Sequence, residues 1–192
     1  KRKFLQMNGI EVASVSTHPN IRPENEAYLG TKNQKLGHQI PLEEIRLNQN
    51  EVRFYHSDQP WGEFSNFSQH SIFIDGINWK TVEHYYQAQK FIDMELKEQI
   101  RLSQTPVLAK ITATEMKDLR RGNWAELKES IMLKALRGKF TQHPELAKRL
   151  LSTSPRRLVE STSNDAFWGE SPDGIGQNRL GELLMLVRTE LE

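Results

Sequence analysis

Hydrophobic and polar positions along this chain alternate with two different periods. A short-period apolar pattern marks 52-VRFYH-56 as a strand and 71-SIFIDGINW-79 as a hairpin turning at Asp75-Gly76. A helical period follows. Thr81 is an N-cap candidate for a helix running to about Phe91, and a second helical piece covers roughly 93–103. Thr105-Pro106 has the cap-then-proline form of another helix start. The clearest helix is 123-NWAELKESIMLKALRGKF-140. Asn123 and Glu126 form a capping-box-like pair, and Trp124, Leu127, Ile131, Ala135 and Leu136 form the apolar stripe. Pro144 opens one more helix with Leu146, Leu150 and Leu151 inward. The run 156-RRLVES-161 reads as a strand. A last helix, about 178–191, carries Leu180, Leu183, Leu184, Val187 and Leu191 on one stripe. There is no internal repeat. The pattern predicts a single helix-rich α+β domain with a small β-sheet.

Residues 1–50 differ. Asn8-Gly9 between two short β-like runs predicts a hairpin, and the polar segment 17–44 with three prolines reads as irregular. We read 1–50 as an N-terminal extension, a candidate surface for another protein, and 51–192 as the functional domain. The chain begins at Lys1 without a methionine, which leads us to expect a piece of a longer chain.

Composition narrows the classes. The 192 residues suit one domain, and 36% hydrophobic residues with four Trp and eight Phe supply a core. The net charge of +1 disfavours tight nonspecific nucleic-acid binding but leaves room for a local basic patch. The absence of cysteine excludes disulfides and thiolate metal sites. No apolar run approaches the roughly 18 residues of a membrane span. A cytoplasmic location without membrane contact is expected.

Candidate chemistry sits in two stretches. On a helix, 79-WKTVEHYYQAQKF-91 brings Glu83, Gln87 and Lys90 along one edge of the buried face, with Tyr86 beside them. The seven-residue spacing of Glu83 and Lys90 is useless for a direct helix-surface ion pair. His84 reads as a satisfied core or rim histidine. The second stretch, 164-NDAFWGESPDGIGQNRLGELL-184, packs glycines around a helix start, with Asp165, Phe167 and Trp168 upstream. Gly174, Gly176, Asn178 and Arg179 are the candidate anion loop. Arg120 and Arg121, ahead of Trp124, are further phosphate candidates.

In order, EFSNF, W-x-T-x-EHYYQAQKF, R-x-NW and NDAFWG…DGxGxNRLGxLLM-x-VR resemble the NADAR family, from about Val52 to Leu191. The resemblance implies a helix-dominated α+β fold and cleavage of N-glycosidic bonds between ribose and nitrogen. It implies two substrate classes: phosphorylated ribosylamino-pyrimidine intermediates of riboflavin synthesis, and ADP-ribose on guanine of nucleic acid. Glu83, Lys90, Trp124, Asp165 and Trp168 match the family's motif positions. Asn66, in EFSNF, joins the expected substrate-binding set. Glu83 and Asp165 are then the acid candidates, and Lys90 could attack C1′ once the sugar opens to an imine. Tyr86, Phe167 and Trp168 are the stacking candidates, and no metal or cofactor is expected. Two arginine-bearing sites suggest a diphosphate, so the expectation leans to ADP-ribosyl-guanine in single-stranded nucleic acid. The riboflavin intermediate and a non-catalytic ADP-ribose or NAD reader are the alternatives.

Overall fold

The structure is a computed structural model and describes residues 50–192. The expected hairpin and irregular segment of the extension lie outside the described residues. Among the described residues four strands form, in two two-stranded sheets and not in one small sheet. β1 (Glu51–Phe54) pairs in parallel with β4 (Arg157–Glu160), with Val52 opposite Leu158 and Phe54 opposite Glu160. β2 (Ile72–Ile74) and β3 (Ile77–Trp79) form a separate antiparallel hairpin. Its turn holds Asp75 at φ 53° and Gly76 at φ 77°, the left-handed pair that a two-residue hairpin loop requires.

Six helices surround these strands among the described residues. α1 (Val82–Ala88) starts at Thr81, whose hydroxyl accepts from the His84 N–H. α2 (Met94–Leu102) is capped by Asp93, and α3 (Pro106–Glu115) by Thr105 ahead of its proline. α4 (Trp124–Gln142) has no side-chain cap. The Asn123 side-chain Oδ1 instead accepts from Arg121 Nε at 2.9 Å, so the capping box expected with Glu126 does not form. Its buried face is Trp124, Met132, Ala135, Leu136, Lys139 and Phe140, whereas Leu127 and Ile131 are only half-buried. α5 (Pro144–Leu151) buries Leu146 and Leu150 and leaves Leu151 half-buried. α6 (Arg179–Leu191) lies against β4.

α1 is the centre of the domain. It packs on α2, α3 and α4, and all seven of its residues are buried. A helix this short gains little from its own hydrogen bonds, so its stability comes from packing. Phe64, Phe91 and Phe140, all inaccessible, fill the space around it. Each contributes roughly 2–3 kcal/mol by burial. The expected run to Phe91 is cut short: the helix ends at Ala88, and Lys90 and Phe91 donate to the Gln87 and Ala88 carbonyls in a tighter turn. The Lys90 carbonyl accepts from the Arg121 N–H at 2.8 Å, which fixes the exit.

One charged side chain lies wholly inside. Lys139 on α4 donates to the Glu63 carbonyl at 2.5 Å, the Ser65 carbonyl at 3.0 Å and Ser68 Oγ at 2.6 Å. Three protons meet three oxygens, so the ammonium is saturated. Burial pushes its pKa down and the Glu63 carboxylate pulls it back up. The turn it gathers passes the Asn66 carbonyl to the Glu83 N–H, 3.1 Å away, at the start of α1. Lys139→Met keeps the bulk and removes all three hydrogen bonds of the ammonium. It should lower stability by on the order of 3 kcal/mol, read as a drop in thermal midpoint, with Lys139→Arg intermediate.

Candidate active site

A cleft of about 650 Å³ opens at the C-terminal ends of β1 and β4. α1 supplies Glu83, Tyr86 and Gln87 to its wall, and the exit of α1 supplies Lys90. The turn held by Lys139 contributes Asn66. Arg120 and Trp124 come from the start of α4 and the segment before it, and Asp165, Phe167 and Trp168 from the loop after β4. The three expected catalytic residues therefore border one opening, although they come from separate parts of the chain.

The remaining expected site residues do not reach this cleft. Arg179 pairs with Glu129, at 2.5 Å, and with Glu182 on the outer surface. Asn178 is buried as a brace. Its Nδ2 donates to the Leu158 carbonyl at 2.8 Å and its Oδ1 accepts from the Glu160 N–H at 3.0 Å. It occupies the open edge of β4 as a neighbouring strand would. Gly176, at φ 139°, lets the loop lie on Gly169 and Glu170, where a Cβ would collide with backbone. Gly174 turns the same loop at φ 81°. Arg121 acts through its N–H on Lys90 and its guanidinium on Asn123. The anion loop inferred from glycine spacing is thus a folded connection tied to β4.

Inside the cleft, polar groups have little water. Glu83 is 4% exposed, and Gln87 Nε2 donates to its Oε1 at 2.7 Å. Burial raises the Glu83 pKa, opposed by the Gln87 bond and by Lys110 and Lys90, while Asp165 adds to the rise. Lys90 lies with Nζ 5.4 Å from the Tyr86 ring centre and 5.8 Å from that of Trp124. Burial lowers its pKa to about 8. Glu83 and Asp165 resist that fall, and Arg120 and Lys110 reinforce it. About a tenth of this amine is therefore neutral at pH 7, and more as pH rises toward 8, the form a nucleophile requires. Gln87 Oε1 and Asn66 Oδ1 are buried acceptors without a partner among the described residues, and both belong to cleft-lining side chains. Such oxygens suit the hydroxyls of a sugar.

Aromatic rings form one side. Tyr86 meets Trp124 at 5.0 Å and Trp168 edge-on at 5.6 Å, and Trp168 meets Phe167 edge-on at 5.0 Å. Lys128 Nζ sits 3.1 Å from the Phe167 ring centre. His84 is satisfied away from the cleft. Its Nδ1 meets the Thr81 hydroxyl at 2.8 Å and its Nε2 meets the Ser103 carbonyl at 3.2 Å, and burial lowers its pKa. No group of three or more metal-ligating side chains occurs among the described residues. No helix among them is long and apolar enough to cross a membrane.

Sequence reasoning missed three charged residues of the cleft: Glu160, Lys110 and Lys128. Glu160 had a signal, a carboxylate closing the apolar run Leu158-Val159 of a strand. Its pKa is raised to about 7 by burial, then by the charges of Asp165 and Glu83, with Lys110 opposing. Lys110 and Lys128 look like ordinary helix-surface lysines in sequence.

Known proteins give this cleft a context. The family model of the NADAR domain matches residues 53–192. The chain is 49% identical over 141 residues to N-glycosidase YbiA of Shigella flexneri, covering 73% of this chain and 88% of that protein. It is 39% identical over 141 residues to riboflavin biosynthesis protein VVA0006 of Vibrio vulnificus, covering 73% of this chain but 38% of that longer protein. The NMR structure of Escherichia coli YbiA superposes with a TM-score of 0.69 at 46% identity, covering 74% of this chain and 85% of that one. With the same motifs set around one cleft, this chain belongs to the NADAR family.

Proposed function

We propose that this chain is an N-glycosidase that hydrolyses the bond between ribose C1′ and the amino nitrogen of a phosphorylated ribosylamino-pyrimidine of riboflavin synthesis. The observation that carries this reading is a desolvated lysine amine, Lys90, in one cleft with several carboxylates. A protein that only read ADP-ribose would gain nothing from a buried amine and carboxylates placed together. Relatives named as N-glycosidases and as a riboflavin biosynthesis protein support the substrate class. The lean toward ADP-ribosyl-guanine rested on two arginine-bearing sites for a diphosphate. Arg179 is occupied by Glu129 and Glu182 outside the cleft, which removes that reason.

The chemistry follows from the geometry. A ribosylamine opens readily to an imine, and the neutral Lys90 amine attacks C1′ to replace the pyrimidine nitrogen. Glu83, next to it in the low-dielectric wall, takes the proton that Nζ loses. Water then hydrolyses the lysine imine and releases ribose phosphate. Arg120 and Lys128, both bordering the cleft, bind the phosphate, and the Trp168 and Tyr86 rings flank the base.

Borohydride added during turnover of the ribosylamino-pyrimidine 5′-phosphate should attach the sugar phosphate to Lys90, as seen by peptide mass. Lys90→Ala should give no adduct and lose roughly 100-fold or more in kcat. Full turnover in that variant, with no adduct in the wild type, removes the lysine route. Because the active amine is the unprotonated form, kcat should rise with pH along the acid side of the profile, toward the Lys90 value of about 8. Arg120→Ala should raise KM about tenfold for the phosphorylated substrate, roughly 1.4 kcal/mol, with kcat changed little. A KM that does not move shifts the phosphate elsewhere.

A further inference from the structure

Three carboxylates border the cleft, and they are engaged differently. Glu83 accepts from Gln87. Asp165 is exposed, and its Oδ1 accepts from the N–H groups of Phe167 and Trp168, each at 3.0 Å. Those two bonds shape the aromatic wall and leave Asp165 a positioning residue. Glu160 differs from both. Its backbone is clamped on each side: its N–H donates to Asn178 Oδ1, and its carbonyl accepts from the Glu170 N–H at 2.9 Å. Among the described residues, none lies within hydrogen-bonding distance of its carboxyl. A strand end held this firmly, carrying a half-buried carboxyl with no internal partner into the cleft, is built to meet a ligand.

We propose that the Glu160 carboxyl is the general acid that protonates the departing nitrogen. The role rests on the N-glycosidase reading above. Ring opening leaves C1′ doubly bonded to the pyrimidine nitrogen. Lys90 Nζ adds to C1′, and Glu83 carries one Nζ proton to that nitrogen, so C1′ now holds both nitrogens by single bonds. The Glu160 proton then goes to the pyrimidine nitrogen, the C1′–N bond breaks with its electron pair staying on nitrogen, and the base departs as a neutral amine. Glu160 is left a carboxylate and C1′ is joined to Nζ as a protonated imine. Hydrolysis of that imine consumes one water, frees Nζ and returns a proton to Glu160. An amine leaves far more easily protonated than as an amide anion, so such a donor belongs in the mechanism.

The surroundings suit a carboxyl that keeps its proton near neutrality. Glu83 faces it from α1 and Asp165 from the following loop, both disfavouring a further negative charge. Lys110 faces it from α3 and acts the other way. Tyr55 and His56, at the exit of β1, and Lys90 border the same space. Burial is the largest influence, and together these set the pKa at about 7. Glu160 must be protonated and Lys90 neutral at once, so the pH profile is a bell with its maximum between about 7 and 8.

The test compares two substrates. One is the ribosylamino-pyrimidine 5′-phosphate, whose nitrogen needs a proton. The other is an N-ribosyl-2,4-dinitroaniline 5′-phosphate, which opens to an imine in the same way but whose electron-poor nitrogen leaves with far less help from a proton. Glu160→Gln should lose about 100-fold or more in kcat on the first and less than about fivefold on the second. The fall in rate above about pH 8 should disappear in this variant, leaving only the rise. Equal losses on both substrates, or an unchanged kcat on the first, overturn the acid role. A wild-type enzyme whose kcat/KM does not fall above about pH 8 also overturns it, whatever the variant does. If the wild type releases no pyrimidine, the N-glycosidase reading fails and the acid role fails with it. Folding provides a separate check. A carboxyl whose folded pKa is raised from 4.5 to about 7 contributes stability below 4.5 that is lost as pH rises through 7. Glu160→Gln should therefore melt higher than wild type at pH 8, with the gap closing toward pH 4. A Glu160→Gln protein that melts lower at pH 8 contradicts the buried, partly protonated carboxyl on which the role depends.

Discussion

The buried Lys139 ammonium is the interaction on which the rest of this domain depends. It sits at the end of α4 and gathers the 63–68 turn through three hydrogen bonds. That turn in turn gives its Asn66 carbonyl to the Glu83 N–H at the start of α1. A helix of seven residues has no independent stability, so its position is decided by what it touches. Because α1 carries Glu83 and Gln87 and ends just before Lys90, a charge that never reaches the cleft sets the geometry of the groups that do.

The cleft gathers groups whose proximity carries an electrostatic cost. Glu83, Glu160 and Asp165 repel one another across a space with little water, and Lys90 and Lys110 compensate only in part. The Glu83 and Glu160 pKa values rise and the Lys90 value falls, so both ends of a proton transfer are brought toward neutral pH. Stability arising elsewhere, from the aromatic core and the saturated Lys139, offsets this cost. The arrangement separates duties: Gln87 orients Glu83, Asp165 shapes the aromatic wall, and the Glu160 carboxyl stays unengaged.

The glycine-rich loop after β4 has a different purpose from the one its composition suggests. Its glycines permit close backbone contact, and Asn178 completes the hydrogen bonding of β4. Glu170 anchors the same loop to Arg53 and Arg157 on the paired strands, with Arg157 Nη2 at 2.5 Å. By fixing the end of β4, the loop fixes Glu160. Its contribution to the site is rigidity.

Local signals in the sequence determined most of the elements. The Asp75-Gly76 turn, the Thr81 and Thr105 caps, and the apolar stripe of α6 are each written within a few residues, because caps and turns are short-range physics. The long motifs around Glu83, Lys90 and Asp165 likewise identified the family and pointed to one cleft. What the sequence could not reveal was decided by contacts between distant segments. The parallel pairing of β1 with β4 joins residues about a hundred positions apart and carries Glu160 to the cleft. Arg179 was a phosphate candidate until Glu129, fifty residues away, was found beside it. Lys139 read as one more lysine on a helix until the fold surrounded it with three oxygens. Charges and buried polar groups take their roles from whichever partners remain when water is removed, and only the tertiary structure decides which partners those are.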